Sequence, residues 1–221
     1  MTGLEIPAVV KVLLGQAFKG AMAMYQQEQA RLAAEVMEKR LRQGKPWAIA
    51  DDKAAAMLWR YVRAAQEGAA RLNLELLAEA LVNAAMSPSF APDAFKSNSA
   101  HLSSLTREEV LILAVFAKQD EWYDYAPHER PGPLREKLDT WERVVKGVLW
   151  RARQSRWQHL RGEEDVQAHT APLVRTGWIQ PIMGGGDTVG VPYCSTTRLS
   201  ELLQLVDVTD VASHPDKWGM E

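Results

Sequence analysis

The stretch Thr106–Phe116, TREEVLILAVF, carries the clearest helix start in the chain. A threonine followed three residues later by a glutamate, ahead of an apolar run, is a capping box. The Thr106 hydroxyl and the Glu109 carboxylate each satisfy one backbone donor that the first turn leaves over. A helix over Val110–Phe116 therefore anchors the reading on both sides. Downstream, Gln119–Pro133 is an acidic-aromatic loop holding Trp122, Tyr123, Asp124 and Tyr125, closed by Pro131-Gly132-Pro133. A long helix from Leu134 to about Leu160 and a shorter one over Glu163–Arg175 are expected next. Gly177 is placed to end the latter in the left-handed conformation. Trp178–Met183 and Thr188–Tyr193 look extended and flank Gly184-Gly185-Gly186-Asp187, a hairpin pattern with a glycine tip. Ser195, Thr196 or Thr197 caps a last helix holding Leu199, Leu202, Leu203 and Val206. Residues 207–221 read as a tail, whose Trp218 could dock.

Upstream of Thr106 the pattern is helical throughout. Pro7 suits a first helical turn, where its missing N–H costs nothing. Beyond it, Lys11, Gly15, Lys19 and Gln26 form one narrow stripe on an otherwise apolar helix running to Met24. Such a helix needs cover on most of its circumference. Ala17, Gly20, Ala21 and Ala23 permit close contact, in a bundle core or a homodimer seam. Gln27–Gln43 is a more exposed continuation with i,i+4 pairs Glu35–Lys39 and Glu38–Arg42, ended by Gly44 and Pro46. Asp51 or Asp52 caps a helix from about Lys53 to Gln66 that packs through Met57, Leu58, Tyr61 and Val62. Asn73 caps another, with Leu74, Leu77, Leu81 and Ala85 on one face. Pro88 and Pro92 close it, and a short helix follows from Asp93 to about Leu102. The fold class is mainly α: an α-helical bundle over 1–105, a winged-helix-like module with a long inserted helix and one β-hairpin over 106–206, and a tail over 207–221.

The residues LVRTGWI, the hairpin and STTRLSELLQLV, behind the helix that starts at Thr106, resemble a winged-helix arrangement. That fold places a leucine and a glycine before its first wing strand. The segment Gln119–Leu160 is longer than a simple winged helix needs. LNLELLAEALVNAAMSPSF followed by HLSSLTREEVLILAVF further resembles the central region of the Abi-alpha-like group of bacterial proteins. That likeness implies a connection with abortive phage infection and carries no catalytic residue to transfer.

The 221 residues suffice for one large or two small domains, at roughly 100–200 residues each. An apolar fraction of 47% with a net charge of −2 supports a folded core. Eight tryptophans are many, and Trp-rich helices are most often packing helices. The single cysteine, Cys194, forms no internal disulfide, which points to reducing cytoplasm. The N-terminus lacks the basic region of a signal peptide. Lys11 and Lys19 argue against a membrane span, each costing on the order of 2.5–3.5 kcal/mol near a bilayer centre.

The sharpest local feature is Trp150–Arg161, WRARQSRWQHLR. Arg151, Arg153, Arg156 and Arg161 stand among Trp150, Trp157 and His159 with no acid between them. Arginines neutralise phosphates and aromatic rings stack on bases, so this is the candidate nucleic-acid or partner contact. The plainer alternative is a helix whose tryptophans pack inward while its arginines pair with Glu163, Glu164 and Asp165. From Glu163 to Glu221 the chain has nine acids and three Lys/Arg. Phosphate contacts need cations, so the wing face is expected to bind protein rather than DNA, with Arg175 and Arg198 the residues there able to contact phosphate. Gly184–Gly186 lacks the Gly-Lys-Ser/Thr ending of a phosphate loop. His101, His128, His159, His169 and His214 are scattered; His159/Glu163 and Asp165/His169 offer two ligands each, too few for a metal site. Cys194 has no evident base nearby and reads as packing.

The expectation is a non-enzymatic, cytoplasmic interaction or regulatory protein acting through protein contacts, with no catalytic residue, cofactor or metal. It is expected to form a homo-oligomer through its N-terminal helix. The alternative is a dimeric winged-helix DNA-binding regulator. A site assembled from distant residues would leave no local trace in the sequence.

Overall fold

The computed structural model describes residues 8–41, 51–86, 92–118, 133–154, 160–182 and 191–209. Among them are eight α-helices, one 3-10 helix and one two-stranded antiparallel sheet. The helices are α1 (Ala8–Leu41), α2 (Asp51–Gln66), α3 (Arg71–Met86), α4 (Pro92–Leu102), α5 (Arg107–Ala117), α6 (Pro133–Gln154), α7 (Glu163–Thr170) and α8 (Thr197–Leu203). The 3-10 helix spans Ala171–Thr176, and strands β1 (Ile179–Pro181) and β2 (Tyr193–Ser195) precede α8. The mainly α class and the single hairpin are as expected.

The capping box at Thr106 is formed in both directions. The Glu109 N–H donates to Thr106 Oγ1 at 3.2 Å, and the Thr106 N–H donates to Glu109 Oε2 at 2.8 Å. Every residue from Glu109 to Phe116 is buried, so α5 is a central helix with no solvent face along that run. The buried apolar side chains make one continuous set from Ala33 on α1 to Val208 beyond α8.

α1, α2 and α3 pack together, and their register is pinned by polar contacts on the second half of α1. The Tyr61 hydroxyl of α2 donates to the Ala33 carbonyl at 2.8 Å. Glu75 of α3 is buried and lies 3.8 Å from Lys39, 3.9 Å from Arg40 and 3.6 Å from Arg71. Arg40 also reaches Glu79 at 3.4 Å, and Arg71 donates to Glu35 at 3.1 Å. Burial, with the Glu75 charge added to it, pushes the Tyr61 phenol well above its usual range.

Several local expectations need correction. Asp51 and Asp52 lie inside α2 rather than ahead of it. Met57 and Tyr61 are buried as expected, but Leu58 is 40% exposed. Asn73 is not a cap. It sits in the first turn of α3, and its amide donates to the carbonyls of Ser103 and Leu105, both at 3.0 Å, tying α3 to the α4–α5 turn. The α6 helix is described to Gln154, residues 155–159 lie outside the described residues, and Leu160 is buried and non-helical. The N–H groups of Arg161 and Gly162 donate to Asp165 Oδ2 at 2.8 and 3.1 Å, opening α7. The helix expected over Glu163–Arg175 divides at Thr170. Pro172 cannot supply the i→i−4 donor, and the chain tightens to a 3-10 turn. The second strand is Tyr193–Ser195, later than Thr188–Tyr193, in the register Ile179↔Ser195, Gln180↔Cys194, Pro181↔Tyr193. The glycine tip of the hairpin lies outside the described residues.

Aromatic contacts hold the sheet and α6 against α5. Trp141 stacks near Phe116 at 6.3 Å and meets Tyr193 edge-on at 5.2 Å, while its Nε1 donates to Glu163 at 3.3 Å. Past α8 the chain returns to α3. Asn83 Nδ2 donates to the Leu205 carbonyl at 2.8 Å, the Asp207 N–H donates to Glu79 Oε1 at 3.1 Å, and Val208 is fully buried. Among the described residues no helix is long and apolar enough to cross a membrane.

Candidate functional site

The residues picked from the sequence fall into two places. The first is the end of α6. Ala152, Val148, Val145 and Val144 face the core, and this fixes the opposite side outward. Trp150 stands there 60% exposed, so it does not pack inward as the plainer alternative has it. The Arg151 guanidinium carbon lies 5.8 Å from the Trp150 ring centroid, a cation–π distance, and Arg153 is exposed. Arg161 lies just past this segment and is exposed. Arg156, Trp157 and His159 lie outside the described residues. Glu163 accepts from Trp141 and Gln167, and Asp165 caps α7.

The second place gathers Arg175 and Arg198, which stand 23 positions apart in the sequence. The pivot is Gly177, whose φ of +74° ends the 3-10 helix in the left-handed conformation, as its position suggested. An added Cβ at Gly177 would stand 2.8 Å from Arg198 Nη1 and 3.5 Å from Arg198 Cζ. The glycine thus lets the guanidinium of α8 lie against the backbone. Thr196 locks this corner. Its hydroxyl bonds the Gly177 and Trp178 carbonyls at 2.6 and 3.1 Å, and its N–H donates to the Trp178 carbonyl at 2.9 Å. Thr196 is the N-cap of α8 and makes no side-chain cap bond; its hydroxyl is turned to these carbonyls.

Trp178 lies fully buried beside Gly177, and His101, in the last turn of α4, meets its ring edge-on at 5.6 Å. Partial burial and then the charges of Arg198 and Arg175 hold the His101 imidazole below its usual range. α4 thus brings His101, and α8 brings Arg198, to the Gly177–Trp178 corner, two residues past Arg175 of the 3-10 helix. Arg175 reaches only the Pro172 carbonyl, at 3.5 Å, and among the described residues neither arginine has an ion-pair partner. The Trp178 Nε1–H is also buried without an acceptor there, a condition that typically costs about 1–3 kcal/mol. His101 was one of five scattered histidines in the sequence, and no local pattern links it to residues 74 and 97 positions further on.

Other candidates are accounted for by packing. Cys194 is buried and free, and its Sγ accepts from Gln180 at 3.6 Å. Among the described residues no group of three or more His, Cys, Asp or Glu side chains is placed to hold a metal ion. A shallow groove of about 390 Å³ lies between the α2–α3 turn and the α4–α5 turn, lined by Glu67, Gly68, Asn73 and Ser104 among others. Gly68, with φ +89°, admits the Tyr25 hydroxyl against its backbone. No family model, no curated protein and no solved structure matches this chain.

Proposed function

We propose that this is an interaction protein that acts through protein contacts and self-associates through its N-terminal helix. The observation that carries the reading is a mismatch of lengths. At about 1.5 Å per residue, the 34-residue α1 is roughly 51 Å long, while the 16-residue α2 and α3 are roughly 24 Å each. Neither neighbour can accompany α1 end to end. Among the described side chains, contacts that seat α1 run from Tyr25 to Arg40. Its other half is the sequence AVVKVLLGQAFKGAMA, whose apolar residues call for cover. Where that half meets the described side chains, Met24 is 73% exposed and Tyr25 45%. On α2, Leu58 and Trp59 are 40% and 61% exposed. Large apolar side chains in this state gain on the order of 25 cal/mol for each Å² that a partner covers.

The test is light scattering of the full chain over a dilution series. A concentration-dependent oligomer that Met24→Arg and Trp59→Arg weaken, with thermal melting unchanged, supports the reading. A monodisperse monomer at all concentrations overturns it.

A second reading, a dimeric winged-helix DNA-binding regulator, is favoured by Arg151 lying over the exposed Trp150 with Arg153 beside it. The order of α5, α6, α7, hairpin and α8 is compatible with a winged-helix-like module over 106–206. The acidic balance of Glu163–Glu221 weighs against it. Duplex DNA binding at about 50 mM salt that is lost near 200 mM, and lost on Arg151→Glu, is what this reading requires.

A further inference from the structure

We propose that His101, Arg175 and Arg198 form a binding site for a phosphate-type oxyanion. The inference stands apart from the interaction reading and rests on different residues. Its first support is placement. His101 comes from the end of α4, Arg175 from the 3-10 helix and Arg198 from α8, and the left-handed Gly177 seats the Arg198 guanidinium against the backbone. The second is charge. Glu163–Glu221 carries nine acids and three Lys/Arg, yet two of those three cations stand at one corner with no carboxylate on either among the described residues. An arginine without a carboxylate keeps its planar fork open, the geometry that holds phosphate oxygens bidentately. The third is the imidazole, half-buried against Trp178 and facing two positive charges. A dianion bound among the three groups reverses the local field. His101 then takes up one proton from solvent and becomes a third charge-assisted donor. Trp178, whose ring meets His101, also keeps a buried Nε1–H without an acceptor among the described residues. A monocarboxylate offers two oxygens and satisfies one fork; a phosphate offers enough for all three groups.

The experiment is a titration of the full chain with inorganic phosphate at constant ionic strength, read on the His101 ring resonances by NMR. Saturable shifts at millimolar phosphate or below are expected, with the His101 midpoint moving to higher pH. Arg198→Gln and Arg175→Gln should each weaken binding at least tenfold, and Arg198→Lys should weaken it too by removing the fork while keeping the charge. Lys146→Gln, on the exposed side of α6, should leave it unchanged. Thermal melts of each variant show whether the fold is intact. Glycerol phosphate is the second probe. Tighter binding than inorganic phosphate identifies a ligand whose phosphate sits on an organic body, and equal or weaker binding identifies the free anion. A response that sodium chloride or acetate reproduces, or one that survives Arg198→Gln in a folded variant, overturns the proposal. So does the absence of any phosphate response, which would mean that the chain's own carboxylates fill the corner.

Discussion

Gly177 is the residue on which the C-terminal corner depends. At φ +74° an L-side chain is strained, by roughly 1–2 kcal/mol. The close approach to Arg198 Nη1 involves the tip of a flexible side chain, so that contact yields by movement and the backbone sets most of the stability loss. Gly177→Ala is therefore expected to lower unfolding stability by about 1–2 kcal/mol in urea titrations. The same substitution displaces the guanidinium, so phosphate binding should fall as well. His101 gives a prediction with a definite sign. Partial burial, then Arg198 and Arg175, favour the neutral imidazole in the native state. The unfolded chain protonates first, at about pH 6.5. Well above that pH His101 contributes no pH dependence. Between pH 6.5 and the lower native value the unfolded state binds more protons, and stability falls as pH falls. Comparing urea midpoints at pH 7.5 and 5.5, His101→Gln should lose less stability on acidification than the parent chain, and equal losses would remove His101 from the account. Saturating phosphate should reduce the parent's loss in the same experiment.

Among the elements, α3 and α5 carry different kinds of risk. Glu75 is a buried carboxylate held between three cations from α1 and α3. Removing it leaves Arg40, itself only partly exposed, without that charge, and breaking a buried pair in this way typically costs about 3–5 kcal/mol. Lys39 and Arg71 are more than half exposed, which places Glu75→Ala toward the lower end of that range in a denaturant titration. Thr106→Ala removes one cap bond from α5 and should cost about 1 kcal/mol. The order of those two effects is the measurement that matters: if the cap outweighs the buried carboxylate, the ion cluster is not what joins α1 to α3. The sequence made α5 legible because a capping box is a local code, complete within four residues. The same holds for Gly177. It did not make Glu75 legible, since nothing local separates a glutamate that meets Arg40 across a helix interface from one that meets solvent. Asn73 was misread for the related reason that a residue suited to cap a helix is also suited to bind carbonyls 30 and 32 positions away. Leu58 was misread because a helical stripe of apolar residues does not show where the covering surface ends.

For the molecule as a whole, long-range contacts join α3 to the segment that follows α8. Fold class and element order could be read from periodicity and punctuation, because each helix and turn is signalled within its own span. The corner at His101, Arg175 and Arg198 could not, since it exists only after α4, the 3-10 helix and α8 have met. Only two of its three residues stood out beforehand, as the sparse cations of an acidic segment. The last described residues test the same dependence. Leu205, Val206 and Val208 are buried, and Asn83 gives its amide to the Leu205 carbonyl. Stopping the chain after Gln204 should lower the melting temperature by several degrees and leave amide exchange on α3 faster. Protection on α3 equal to that of the full chain would mean the end segment is an accessory. The bond from Asn83 to Leu205 spans 122 positions, which also bears on the order of events during synthesis. Helices α1 to α3 leave the ribosome long before the segment that completes the cover of α3. Until then the nascent chain carries an unfinished apolar face, a period in which chaperones can bind it and proteases can cut it. Contacts of such long range add loop-closure entropy to the folding barrier, so this helical protein should fold more slowly than its helix content alone would indicate.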